Sequence, residues 1–392
     1  MSSLQDAPAQ LRAYFDYAAT APFDVRLADC IATASWGNAN SLHAVGREAR
    51  MQLDDARHRI AKALGARQPA EIYFTSGGTE GDNMLIAGLI PAQEKLDKTC
   101  VVVSNIEHHA VLNAAAALKR RGVKVLQVPA DKRGQVTPDA LEQVLDSATK
   151  DGLKCALVSV MAVNNELGSI QPVEQLAQVA HAHGAKFMTD CVQALGKIDF
   201  NLEQSGVDAA VFSAHKIGAL KGAGAVYIRR GIKVTPLIYG GGQESGLRSG
   251  TSNVMGAVCM AKAVELAQSE REQNWAHAKE LRERLLAGIA ELDAAHGIKP
   301  TLADDSCCVP HTLSLIVDGL EGETVVQRLD AAGIAASSGS ACSTGSLDPS
   351  YVVMAVGVPK QQAYGSLRLS FGAGTTQDDV DYLLASLPSA LR

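Results

Sequence analysis

Several side chains along this 392-residue chain could do chemistry by their type and setting. Lys216, in Ser213-Ala214-His215-Lys216, follows the apolar run through Val211 and Phe212. An amine at the buried end of a strand is costly to keep charged, and desolvation makes it available to attack a carbonyl. The alternative is a lysine that opens a loop and reaches solvent. Asp190 ends a second apolar run, Ala185 to Thr189, where a carboxylate could hold a protonated ring nitrogen or cap the next segment. Gln193, one helical turn on, could donate to the same ring. Thr75-Ser76-Gly77-Gly78-Thr79-Glu80 lies between a strand and a helix, where free N–H groups and the Thr79 hydroxyl could surround an anion. A plain N-cap at Thr79 is the other reading. His108 and His109 offer a stacking face or a core imidazole. Arg368, mid-strand in Ser366-Leu367-Arg368-Leu369-Ser370, suits a carboxylate gripped in two bonds or an internal ion pair. Cys342 stands among Ser337-Ser338-Gly339-Ser340-Ala341 and Ser343-Thr344-Gly345-Ser346, the composition of a mobile loop, and its thiolate would be a strong nucleophile. Cys30, Cys100, Cys155, Cys191 and Cys259 read as buried and inert. The Cys307-Cys308 pair is not at metal-ligand spacing and is given no role; no metal site is expected.

Each feature has a plain structural explanation, but the set is more specific. An anion cradle, a strand-end amine, a strand-end carboxylate, a stacking ring, a carboxylate-binding arginine and a loop thiol together point to pyridoxal 5'-phosphate chemistry on an amino acid, with a thiol step added. Neither G-x-x-x-x-G-K-[ST] nor G-x-G-x-x-G occurs at the glycine turn, which argues against a nucleoside triphosphate or dinucleotide there. The glycine-rich stretch Tyr239 to Thr251 reads as a surface loop or a further anion-contacting segment.

Short β-branched runs alternate with helical stretches over the first 260 residues, as expected of βαβ units and a mostly parallel sheet covered on both faces. The pattern changes near Gly256. Ala257 to Ala295 reads as one or two long helices, followed by a shorter strand and helix set from Thr312 to a closing helix after Gln377. The expected organisation is a large α/β domain over 16–260 and a smaller α+β domain over 261–392, with segment 1–15 packing on the smaller one. The 36 Lys plus Arg against 42 Asp plus Glu leave a charge of −6, a poor match for nucleic acid or an anionic membrane surface. No apolar run reaches the roughly 18 residues of a spanning helix, and the N-terminus has no secretory pattern. Eight cysteines without a C-x-x-C pair fit a reducing cytoplasm.

The chain resembles the cysteine desulfurases of the class V aminotransferase group over nearly its whole length. The resemblance is carried by Tyr14-Phe15-Asp16-Tyr17-Ala18-Ala19-Thr20, Gly37-Asn38 through Ser41-Leu42-His43 with Gly46-Arg47, Phe74 to Glu80 and Ile106 to Leu112. It continues through Asn164-Asn165-Glu166-Leu167-Gly168, Ser213 to Lys216, Gly241-Gly242-Gln243-Glu244, Arg248 to Thr251 and Ser338 to Ser343. It implies an aspartate aminotransferase-type fold (pyridoxal phosphate fold type I), with the active site between domains and at a homodimer interface. Lys216 would hold the cofactor covalently, Asp190 would pair with the pyridine nitrogen, Gln193 with the ring hydroxyl side, and His108 would stack on the ring. Gly78, Thr79, Ser213 and His215 would hold the phosphate, with Thr251 reaching it from the other subunit. Asn164 and Arg368 would bind the substrate carboxylate. Cys342 would take sulfur from L-cysteine, leaving L-alanine, and pass it to an iron–sulfur scaffold or a tRNA-thiolation protein. A selenocysteine lyase, another transaminase or lyase on the same scaffold, and a non-catalytic sulfur-assembly scaffold are the rival readings. The chain departs from the group's pattern at Gly218-Ala219-Leu220, where a proline is usual, at Cys191 in place of alanine, and at Asp82 where an amide is common.

Overall fold

A computed structural model describes residues 11–90, 96–339 and 348–392. Cys342 and the first ten residues lie outside the described residues. The larger sheet has seven strands in the order Ile72–Thr75, Gly224–Ile228, Ala209–Ser213, Lys186–Asp190, Lys154–Ser159, Thr99–Ser104, Lys124–Val128. Gly224–Ile228 is antiparallel to both neighbours, and the remaining pairings are parallel, as expected of an α/β fold. Gly224–Ile228 was not among the expected strands, because its apolar run is short and starts on glycines. The glycine has a packing reason: a β-carbon at 224 would lie 2.6 Å from the Gly77 Cα.

Side chains alternate along each strand, so Val101 and Val103 face one way and Cys100 and Val102 the other. The first face is covered by helices Gly78–Gly88 and His109–Leu118. The second is covered by Ala44–Ala63, Pro138–Lys150, Val173–Ala182 and Val254–Ser269. Burial on both faces explains why these strands read as nearly continuous apolar runs. Every described cysteine is a free thiol; Cys30, expected in the core, is half-buried on the short helix Ala28–Thr33.

A four-stranded antiparallel sheet, ordered Ser337–Ser338, Ser366–Ser370, Thr312–Val317, Ile298–Pro300, forms the second unit. Helices Arg271–His296, Gly322–Ala331 and Gln377–Ala390 close its core with Leu281, Leu285, Val325, Leu329, Leu383 and Leu387. Ala13 and Phe15 belong to this core, and the strand Ala13–Tyr14 pairs with Ile334–Ala335. A division at 260/261 falls inside helix Val254–Ser269, whose Met260, Ala261, Ala263 and Val264 all pack in the larger core. The change of core comes instead in the first turns of helix Arg271–His296, between Trp275, packed on the larger core, and Ala278 in the smaller one. Among the described residues no helix is long and apolar enough to cross a membrane.

Candidate active site

The C-terminal ends of the parallel strands meet at one edge, where open α/β sheets place their ligands. A cavity of about 310 Å³ opens there, lined by Ala18, Ala19, Gly78, Thr79, Asp82, His108, Met161, Asn165, Asp190, Gln193, Ser213, His215, Lys216 and Arg368. Lys216 lies on the 3₁₀ turn Ala214–Ile217 that leaves strand Ala209–Ser213. Its Nζ donates to the carbonyls of Ala18 and Ala19 at 2.6 and 2.7 Å, so the amine is drawn into the cavity rather than to bulk solvent. Asp190, at the end of its strand, is buried and accepts from the Val192 N–H at 2.8 Å. Burial pushes its pKa up to about 6, against the lowering effects of the Val192 N–H and Lys216. A cationic ring nitrogen is the partner that would hold this carboxylate ionised.

The glycine turn runs directly into a helix start beside the cavity. Gly77 has φ of 152°, a conformation that a side chain strains, and it lets the chain turn straight into helix Gly78–Gly88. A β-carbon on Gly78 would come within 2.9 Å of a Val192 methyl, so the helix start is pressed against the segment that follows Asp190. Ser213 is buried beside this helix start. His215 Nδ1 lies 3.1 Å from the Thr20 hydroxyl, and burial, with Lys216, pushes its pKa down to about 4. Glu80 fixes the turn from outside. It accepts from the Ser76 N–H at 2.8 Å and forms a two-bond ion pair with Arg248 at 2.8 and 3.2 Å.

His108 caps a helix and lines the cavity at once. Its Nδ1 accepts from the Ala110 N–H at 3.1 Å and caps helix His109–Leu118, while the ring lines the cavity. Burial pushes its pKa down to about 4, so the ring is neutral, with its proton on Nε2. Arg368, only 3% exposed, gives Nη2 to Asp16 at 2.8 Å and Nη1 to the Asn165 carbonyl at 3.3 Å, but its Nε has no partner. The internal ion pair and a free donor edge therefore coexist on one guanidinium.

One residue expected in the cavity is placed elsewhere. Asn164 does not line the cavity. Its Nδ2 donates to the Ile106 carbonyl at 2.8 Å and its Oδ1 accepts from Glu166 N at 2.9 Å and Leu167 N at 2.8 Å, so the amide is committed to a turn. Asn165 lines the cavity in its stead, with a buried Oδ1 that has no partner. Nothing in two adjacent asparagines says which faces the site. Thr251 is exposed and is not part of this chain's cavity lining.

Sequence reasoning also passed over Asp82 as a site residue. It is buried on helix Gly78–Gly88, three positions after Thr79 and so on the same face, a signal that was available. Its Oδ1 has no partner, and burial followed by the charges of Asp190 and Glu107 raises its pKa well above the usual carboxylate range.

This donor set fits pyridoxal 5'-phosphate. Gly78, Thr79, Ser213 and His215 offer donors for a phosphate, Asp190 an acceptor for a ring N–H and Lys216 an amine, all lining one cavity. The unpartnered Arg368 Nε would meet a substrate carboxylate.

Comparison with known proteins agrees. The model of the class V aminotransferases matches residues 13–383. A cysteine desulfurase IscS of Dictyoglomus turgidum is 40% identical over 374 residues, 95% of this chain and 92% of that protein. A solved NifS-like protein superposes with a TM-score of 0.88 at 38% identity, covering 97% of this chain and 99% of its own. A structure of SspA in complex with cysteine gives 0.78 at 29% identity, covering 93% and 100%. The chain belongs to the class V aminotransferase family.

Proposed function

We propose that the protein is a pyridoxal phosphate-dependent cysteine desulfurase. The observation that carries this reading is the meeting of Lys216, Asp190 and Arg368 on one cavity with a helix-start anion cradle. Bound there, the cofactor supplies an electron sink for charge developing at the substrate α-carbon. Gly78, Thr79, Ser213 and His215 hold its phosphate, His108 stacks on its ring, and Asp190 holds the proton of its nitrogen. Lys216 would hold it covalently, and its amine would move a proton from the substrate α-carbon. Arg368 and Asn165 orient the substrate carboxylate. The Cys342 thiolate takes the substrate's sulfur atom, so that cysteine and one thiol become alanine and one persulfide. Thr251, exposed on the segment that Arg248 ties to the cradle, reaches the phosphate of a second copy in a homodimer. The persulfide is passed on to an acceptor of iron–sulfur assembly or tRNA thiolation, and the free thiols support a cytoplasmic setting.

The test uses the purified, cofactor-loaded protein with L-cysteine and a reductant, measuring alanine and sulfide. Cys342→Ser is expected to keep the bound cofactor's visible absorbance and to release no sulfide. Sulfide output equal to the native protein would overturn the reading, and keto-acid production in place of alanine would make it a transaminase. Lys216→Ala is expected to lose covalent attachment of the cofactor.

A further inference from the structure

Lys197 was not among the expected site residues and does not line the cofactor cavity, yet its head group is directed at that cavity's wall. It follows Gly196, whose φ of 72° and close packing on Ala267 turn the chain back on itself after Asp190. Lys197 Nζ donates to Gln193 Oε1 at 2.6 Å, Gln193 Nε2 donates to the Ala18 carbonyl at 2.8 Å, and Lys216 Nζ donates to that same carbonyl at 2.6 Å. The two lysines are therefore joined by one amide and one shared main-chain oxygen.

An amide side chain can sit either way round, with a donor end and an acceptor end exchanged by a half turn. An ammonium group only donates, so it accepts no orientation but the one with Oε1 against it. Gln193 is 4% exposed, so water does not compete for that bond. We infer that Lys197 is a positioning residue that locks the Gln193 amide with Nε2 toward the cavity, so that Gln193 serves there as a donor to the cofactor's ring oxygen.

This inference rests on the cofactor reading above. Burial, together with Lys216 and Arg368, pushes the Lys197 pKa down to about 7, so the donor-only lock is complete below that pH and loosens above it, where the neutral amine can also accept. The charges that act on it are Lys216 and Arg368; His311, itself held neutral by burial, and Tyr17, Asp24, Arg26 and Glu270 share a neighbouring cavity lining with it. A second cavity of about 350 Å³, lined by Lys197, Lys216, His311 and Tyr17, gives a longer cationic side chain room.

The experiment titrates the visible absorbance of the loaded protein against pH, and measures cofactor affinity after stripping, for Lys197→Met, Lys197→Arg, Gln193→Ala and the Lys197→Met/Gln193→Ala double variant. A donor at the ring oxygen disfavours a further proton on the cofactor's link to Lys216, so its loss raises the midpoint. Lys197→Met is expected to raise that midpoint and to weaken cofactor binding about tenfold, the size of one lost hydrogen bond. Lys197→Arg is expected to restore most of both. In the Gln193→Ala background the greater part of the Lys197→Met effect is expected to vanish, because the lysine acts through the amide. An undiminished effect in that background, or no effect in the native one, overturns the inference. Should Lys197→Met not fold by circular dichroism, Lys197→Leu is read in the same way. Lys216→Ala separates the two levels. Covalently bound cofactor persisting in that variant would refute the cofactor lysine, whereas additive Lys197 and Gln193 effects would refute the lock alone.

Discussion

Asn164 and Asn165 carry different burdens although they are neighbours of one type. The amide of Asn164 satisfies two main-chain N–H groups and a carbonyl, so Asn164→Ala is expected to destabilise the protein by ~2–4 kcal/mol, read as a lower thermal midpoint. Asn165→Ala, which removes a side chain facing the cavity, is expected to leave that midpoint nearly unchanged and to raise KM for cysteine about tenfold. A large loss of stability at 165 and none at 164 would reverse the assignment. A titration argument applies to Glu107. It accepts from the Ser104 hydroxyl at 2.5 Å and the Met161 N–H at 2.7 Å, and its other oxygen is buried without a partner. Burial raises its pKa from 4.5 to about 8, so the native chain keeps a proton that the unfolded chain releases. The native protein is therefore expected to lose stability relative to Glu107→Gln as pH rises from about 4.5 to 8. Urea unfolding of both proteins across that range checks this, and a difference independent of pH would refute it. At this scale the chemistry-bearing types were legible because lysine, aspartate and arginine at strand ends or mid-strand are costly unless used. The amide partners were not legible, because asparagine and glutamine report no preference until the turn around them is known.

The elements around the cradle are held by ion pairs that no local pattern announces. Arg57, on helix Ala44–Ala63, forms a two-bond pair with Glu244 at 2.8 and 2.9 Å and also donates to the Ile72 carbonyl. The same carboxylate accepts from the Phe74 N–H at 2.9 Å, and the guanidinium stacks on the Phe74 ring at 4.9 Å. Glu244 and Ser245 have φ of 47° and 55°, a conformation rare outside glycine, which these bonds hold in place. Arg57→Ala strands a buried carboxylate and is expected to destabilise the protein by ~3 kcal/mol, with Arg57→Lys restoring only part because it has no planar fork. Chemical denaturation of the three proteins measures this, and equal midpoints would show the pair to be dispensable. Strand and helix types could be read from periodicity, since buried parallel strands are short apolar runs and the helices keep one apolar stripe. The antiparallel Gly224–Ile228 escaped because its glycine meets the needs of Gly77, not those of a strand.

The two units share one site but have separate cores, so occupancy of the cavity is coupled to the stability of the whole chain. Stripping pyridoxal phosphate is expected to lower the thermal midpoint and re-addition to restore it, with ~4 kcal/mol gained at a thousandfold excess over Kd. Lys216→Ala is expected to lose most of that gain; a midpoint indifferent to the cofactor would contradict the cavity assignment. The presence of two units was visible in the change of pattern after Gly256. Its position between Trp275 and Ala278 was not, because helix Val254–Ser269 is apolar enough to belong to either core until contacts decide. The grip on Lys216 shows how the units are joined at the site. Ala18 hangs on strand Ser366–Ser370 through the bond from its N–H to the Ser370 hydroxyl at 2.8 Å, while its carbonyl receives Lys216 and Gln193 from the larger unit. This latch is made of peptide groups, so alanine scanning is blind to it at 18 and 19, where alanine already stands. An amide-to-ester replacement between residues 18 and 19 would weaken the Ala18 oxygen as an acceptor, remove the Ala19 N–H that donates to the Asp16 carbonyl at 3.0 Å, and loosen the latch without altering any side chain.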